Sequence, residues 1–118
     1  MNSIQTFVFS LLLFYSASVL AQGERDWWYF GDHAGIHFDN GVPVVQTNSA
    51  MYQDEGCAVA SDSAGNLLFY TDGDTVWNKL HQPMPDGIGL LGSSSSTMAS
   101  VIVPSPAQKN QYYIFTNG

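Results

Sequence analysis

The sequence predicts an all-β, antiparallel protein made of the first blades of a β-propeller-like repeat domain. Three observations carry that prediction. Short β-branched and aromatic runs alternate with Gly, Asn, Asp and Pro, and no long stretch places apolar residues at helical spacing between caps. Many of those runs are apolar on both faces. One of them also recurs at a fixed offset.

Strands are expected at residues 27–31, 36–38, 43–46, 57–61, 67–71, 75–78, 98–103 and 112–116. Turn signals lie between them: Asp39-Asn40-Gly41, the run from Asp62 through Gly65 to Asn66, Asp72-Gly73, and Pro104-Ser105-Pro106. In the run LLFYT, Leu67 and Phe69 are expected on one side and Leu68 and Tyr70 on the other. The runs 101–103 and 112–115 are also apolar throughout. A sheet with one wet face alternates apolar with polar, so these strands call for cover on both faces, as in sheets stacked on sheets.

The repeat pairs Leu67-Leu68-Phe69-Tyr70-Thr71-Asp72-Gly73 with Tyr112-Tyr113-Ile114-Phe115-Thr116-Asn117-Gly118, at an offset of 45 residues. A weaker echo, Trp27-Trp28-Tyr29-Phe30-Gly31-Asp32, lies 40 residues before the first copy. Periods of this length built from short antiparallel strands are those of propeller blades, whose stacking buries both faces of each sheet. Two such units fall short of the usual blade count, so the chain is read as the N-terminal part of a longer protein.

The domain is expected at residues 22–118, behind a secretory signal at 1–21. Residues 7–20 (FVFSLLLFYSASVL) form an apolar run too short for a membrane-spanning helix, and it closes on Val19-Leu20-Ala21 with small residues at −3 and −1. Gln22 follows, where a lipoprotein would carry Cys. The net charge of −7, with three Lys and Arg in all, argues against nucleic acid and anionic membrane as partners. Charged residues make up 11% and aromatics 14%, a composition for packing rather than for disorder. The single cysteine, Cys57, has no internal partner and is read as a small buried strand residue.

The segments WWYFGDHAGIHF, EGCAVASDSAGNLLFYTDGDTVWNK, HQPMPDGIGLLGSSSSTMASVIVPSPA and YYIFTNG resemble the N-terminal region of large secreted proteins from Bacteroidota, of the gliding-motility-associated, type IX secretion sorting-domain kind. The resemblance spans residues 26–118. It implies a propeller-like N-terminal region followed, in full-length members, by further modules and a C-terminal sorting domain. No catalytic residue is carried over from it.

An EF-hand loop starting at Asp72 would meet Asp74 at position 3, but Val76 stands at position 5 and Pro83 at position 12. Asp72-Gly73 is read instead as a type I′ hairpin turn. The Asp62-to-Asn66 segment is read as a turn too, its Asp-to-Gly spacing one residue too long for an Asp-box. His33 and His37 are four apart, but on turn and strand rather than on a helix. His37 and Asp39 are expected on one strand face, and His81 stands apart. The run Ser93-Ser94-Ser95-Ser96-Thr97 lacks the flanking glycines of a nucleophile elbow. For glycoside chemistry the least turn-like acids are Asp32, Asp54 and Glu55, and Trp27, Trp28 and Trp77 are the aromatics that would stack on a sugar.

No catalytic, cofactor-binding or metal-ligating residue is therefore assigned, and no cofactor is expected. The expected function is a non-catalytic, exported binding or adhesion scaffold whose ligand is an extracellular protein or glycan. The alternatives are a secreted, glycan-active propeller hydrolase completed by later blades, and a structural spacer.

Overall fold

The computed structural model describes residues 23–118, so the expected signal segment lies outside the described residues. After a 3₁₀ turn at Gly23–Arg25, nine strands follow: β1 (Trp27–Phe30), β2 (Ala34–Asp39), β3 (Val42–Gln46), β4 (Ala58–Ser61), β5 (Leu67–Thr71), β6 (Thr75–Asn78), β7 (Pro83–Ile88), β8 (Ser100–Pro104) and β9 (Tyr112–Thr116). They form three antiparallel sheets of order β1-β2-β3, β4-β5-β6-β7 and β8-β9. The described chain is all-β, and none of its helices is long and apolar enough to cross a membrane.

Local chemistry sets the hairpins. Asp39 pairs with Val42, leaving a two-residue loop, and Asn40 (φ 50°) and Gly41 (φ 81°) both take positive φ, as a type I′ turn requires. Between β4 and β5 the Asp62 carboxylate gathers the turn: its Oδ1 accepts from Ala64 N at 2.9 Å and Asn66 N at 2.9 Å. Between β6 and β7, Asn78 Oδ1 does the same for Leu80 N (2.8 Å) and Gln82 N (3.1 Å). In each case a short polar side chain stands in for backbone acceptors that a tight reversal leaves missing.

The turn at Asp72 differs from its expected form. Thr71 pairs with Val76, so the loop holds four residues, and only Gly73 (φ 95°) has positive φ. Asp72 Oδ1 accepts from Asp74 N (2.9 Å) and Thr75 N (2.7 Å), and the loop carbonyls of Gly73 and Asp74 accept from Gly92 N and Leu90 N. Asp72 is therefore a turn-former, but the two-residue type I′ geometry belongs to Asn40-Gly41.

Strand β7 was not expected, because Pro83 and Pro85 remove ladder donors. It occupies an edge, with Pro83 as its first residue, the places in a sheet where proline is tolerated. Pro43 sits in β3, also an edge strand.

The middle sheet is covered on both faces. Toward β1–β3, Tyr70, Leu67 and Trp77 pack with Tyr29 and Met51, with Val59 and Cys57 at the margin. Toward β8–β9, Ala60, Phe69 and Val76 pack with Ile102, Tyr112 and Ile114. Tyr70 stacks on its cross-strand partner Trp77, with ring centroids 5.4 Å apart at 21°, and Phe69 meets Tyr112 edge-on at 5.3 Å. The simple two-sided alternation expected of LLFYT fails at its first two residues, since Leu68 packs with Phe69 and not with Tyr70. Leu67 joins Tyr70, not Phe69, next to the register shift between Ala60 and Ser61.

Candidate functional site

The ladder register, not proximity in sequence, assembles the most chemically varied concavity. Trp27 on β1 pairs directly with His37 on β2, and the two rings stack at 4.0 Å and 14°. The indole is held from its edge, Nε1 donating to Gly65 O at 2.8 Å. These rings form one wall of a cleft of about 610 Å³ between the first sheet and the loops of the middle sheet. Its other walls come from Asn48, from Asp62 and Asn66 of the β4–β5 turn, and from Lys79 and His81 of the β6–β7 turn.

Beneath the cleft runs a chain of polar contacts. Tyr29 Oη donates to Asn48 Oδ1 at 3.1 Å, Asn48 Nδ2 meets His81 Nε2 at 3.0 Å, and His81 Nδ1 meets Tyr70 Oη at 3.0 Å. Tyr70 Oη also accepts from Ala50 N at 2.8 Å. Both imidazole nitrogens of His81 are thus engaged, which fixes the ring plane at the cleft floor. Burial, with the neighbouring Tyr70 adding to it, pushes the Tyr29 hydroxyl up to about 12, so it stays a neutral donor.

Of the two charged groups at the rim, Lys79 is exposed and Asp62 is half-buried. Hydrogen bonds from Asn66, first through its side chain and then its backbone, hold the Asp62 carboxyl below the usual aspartate range, with Lys79 adding a smaller push the same way. The rim therefore carries one negative and one positive charge. Such a set can orient a polar ligand, but it lacks the facing carboxylates that glycoside hydrolysis uses: Asp62 is the one carboxylate among the described lining residues.

The residues singled out from sequence are dispersed. His33 lies on an exposed turn at φ 52°, with Nδ1 2.6 Å from Ser49 O and Nε2 3.4 Å from Asp32 Oδ1. His37 stacks on Trp27 and makes no ion pair with Asp39 among the described residues. Asp54 is exposed, and Glu55 Oε2 accepts from Thr97 Oγ1 at 3.1 Å. Trp77 is buried in the core. Trp28 lies outward, its Nε1 donating to Arg25 O. Ser93 Oγ meets Ser95 Oγ at 3.2 Å inside its own loop. The Cys57 thiol donates to Tyr29 O at 3.2 Å, and burial, followed by the charge of Asp72, pushes it up. Among the described residues no three His, Cys, Asp or Glu side chains converge as a metal site would require.

Sequence reasoning missed Asn48 and Lys79 and left His81 without a role. Nothing local marks them, because they meet only when the first sheet packs on the second. A second concavity, of about 430 Å³ between Leu68, Phe69, Val76, Met84 and Tyr112, is mainly apolar, with Asn110 and Gln111 as its polar side chains.

No family model, curated protein or solved structure matches this chain.

Proposed function

We propose that the three stacked sheets are successive blades of a propeller-like domain in an exported, cell-surface or secreted protein, and that this domain binds an extracellular ligand without transforming it. The observation that carries the reading is the cleft between the first and second sheets. It brings aromatic rings, amides and two opposite charges to one hollow, a mixture that can hold and orient a polar ligand. The 45-residue offset supports the blade reading, because β5 and β9 occupy corresponding places in the β4–β5 and β8–β9 hairpins. The apolar run ending at Ala21 supports export, and the sequence likeness to secreted Bacteroidota surface proteins agrees with a role in adhesion.

The test uses the full-length protein made by its own cells. Mass spectrometry of the protein on the cell surface or in the medium should find Gln22 as the N-terminus. The labelled protein should be retained by cells or their extracellular matrix, and Asn48→Ala should reduce that retention. A protein that keeps residues 1–21 in the cytosolic fraction, or that is not retained by any extracellular material, overturns the reading.

A further inference from the structure

We infer that the cleft between the first two sheets is a saccharide-binding site selective for neutral sugars, an inference that rests on the binding function proposed above and names its ligand class. A sugar ring presents an apolar face of C–H groups and a rim of hydroxyls that each donate and accept. The cleft mirrors both. The Trp27 indole, stacked on His37 and tied by its Nε1 bond to Gly65 O, supplies an aromatic wall. Around it stand donors and acceptors in mixture: the Asn48 and Asn66 amides, the Asp62 carboxylate, the Lys79 amine and the His81 ring.

Three features restrict the class further. The volume of about 610 Å³ falls within the range of small-ligand pockets, so it takes a short stretch of glycan and not a folded partner. The floor is pre-organised, since Tyr29, Asn48, His81 and Tyr70 are linked by contacts of 3.0–3.1 Å. The charge argues against an anionic sugar: one Lys faces one Asp at the rim, on a chain of net charge −7 that repels sulfates and uronates. The mainly apolar concavity beside Phe69 and Tyr112 has Asn110 and Gln111 but, among its described lining residues, no charged group or imidazole, and so a narrower polar complement.

Full-length protein is titrated with neutral oligosaccharides of glucose, mannose, xylose and galactose, and in parallel with an oligogalacturonate and a tryptophan-containing peptide. Binding is followed by intrinsic fluorescence and calorimetry. The expected result is saturable binding of at least one neutral oligosaccharide, with Lys79→Ala and Asn48→Ala each weakening it roughly tenfold or more, the size of one lost ligand hydrogen bond. Near-ultraviolet circular dichroism checks that each variant keeps its fold. Trp27→Phe, which keeps a ring but drops the Nε1 anchor, should weaken binding less than Trp27→Ala. Preference for the galacturonate or the peptide overturns the inference, as does sugar binding that survives all of these substitutions. Retention on extracellular material with no sugar bound in any titration overturns the ligand class alone and leaves the binding function standing.

Discussion

Gly73 lies so close to Ala99 that a β-carbon on residue 73 would stand 2.8 Å from the Ala99 carbonyl oxygen. The turn between β5 and β6 is thereby pressed against the chain entering β8, and the contact links the second sheet to the third. Gly73 O accepts from Gly92 N, and Ala99 O accepts from Asn117 N, so both backbones are held where they meet.

Gly73→Ala should therefore be costly for two reasons, its φ of 95° and the overlap with Ala99. Gly41→Ala provides the comparison, since Gly41 has φ 81° but open space where a side chain would go. Strain alone should cost about 1–3 kcal/mol at either position. Chemical denaturation should find Gly73→Ala the more destabilised of the two, and equal losses would refute the contact.

Asp72 and Asp74 flank that glycine but do different things. Asp72 Oδ1 caps two amides, whereas Asp74 Oδ2 only meets Thr75 Oγ1 at 3.3 Å. Asp72→Ala should lower stability by about 0.5–1.5 kcal/mol per lost bond. Asp74→Asn should leave the melting temperature near wild type, with and without millimolar calcium. A calcium-dependent rise in melting temperature that Asp74→Asn removes would restore a metal reading of the turn.

Tyr70 is fully buried, and its hydroxyl takes the Ala50 N–H and meets His81 Nδ1. Tyr70→Phe keeps the stack on Trp77 but strands those partners, so it should cost about 1–3 kcal/mol in denaturant unfolding. A neutral result would mean that the polar chain beneath the cleft does not contribute to folding.

Asp62 makes a pH-dependent contribution whose sign follows from its depressed value. The folded state holds the carboxylate more readily than the unfolded chain, whose ordinary value is 3.8. The stabilisation is present above that value and is lost as pH falls through the lower folded value. The melting-temperature gap between wild type and Asp62→Ala should therefore be open at neutral pH and narrow in acid below pH 3.8. A gap that is constant across that range would show that Asp62 acts through packing and not through charge.

The strands and the turns at Asn40-Gly41 and at Asp62 could be read from the residues because their causes are local: β-branched and aromatic runs, a pair suited to positive φ, a carboxylate next to free amides. The two prolines of β7 hid a strand, since their effect depends on whether the strand lies at an edge. The form of the Asp72 turn was hidden for a similar reason. Its four-residue loop receives amides from Leu90 and Gly92, far along the chain.

The all-β antiparallel class and the cover on both faces of the middle sheet were thus determined by the sequence itself, because LLFYT loses apolar burial if either side faces water; the equally apolar β8 and β9 are covered on one face only, with Tyr113 and Phe115 exposed. The cleft was decided only by tertiary structure. Trp27 and His37 meet through ladder register, and Asn48 reaches His81 across 33 residues. Side chains that are unremarkable in their own segments become a site only when sheet packing fixes the distances between them.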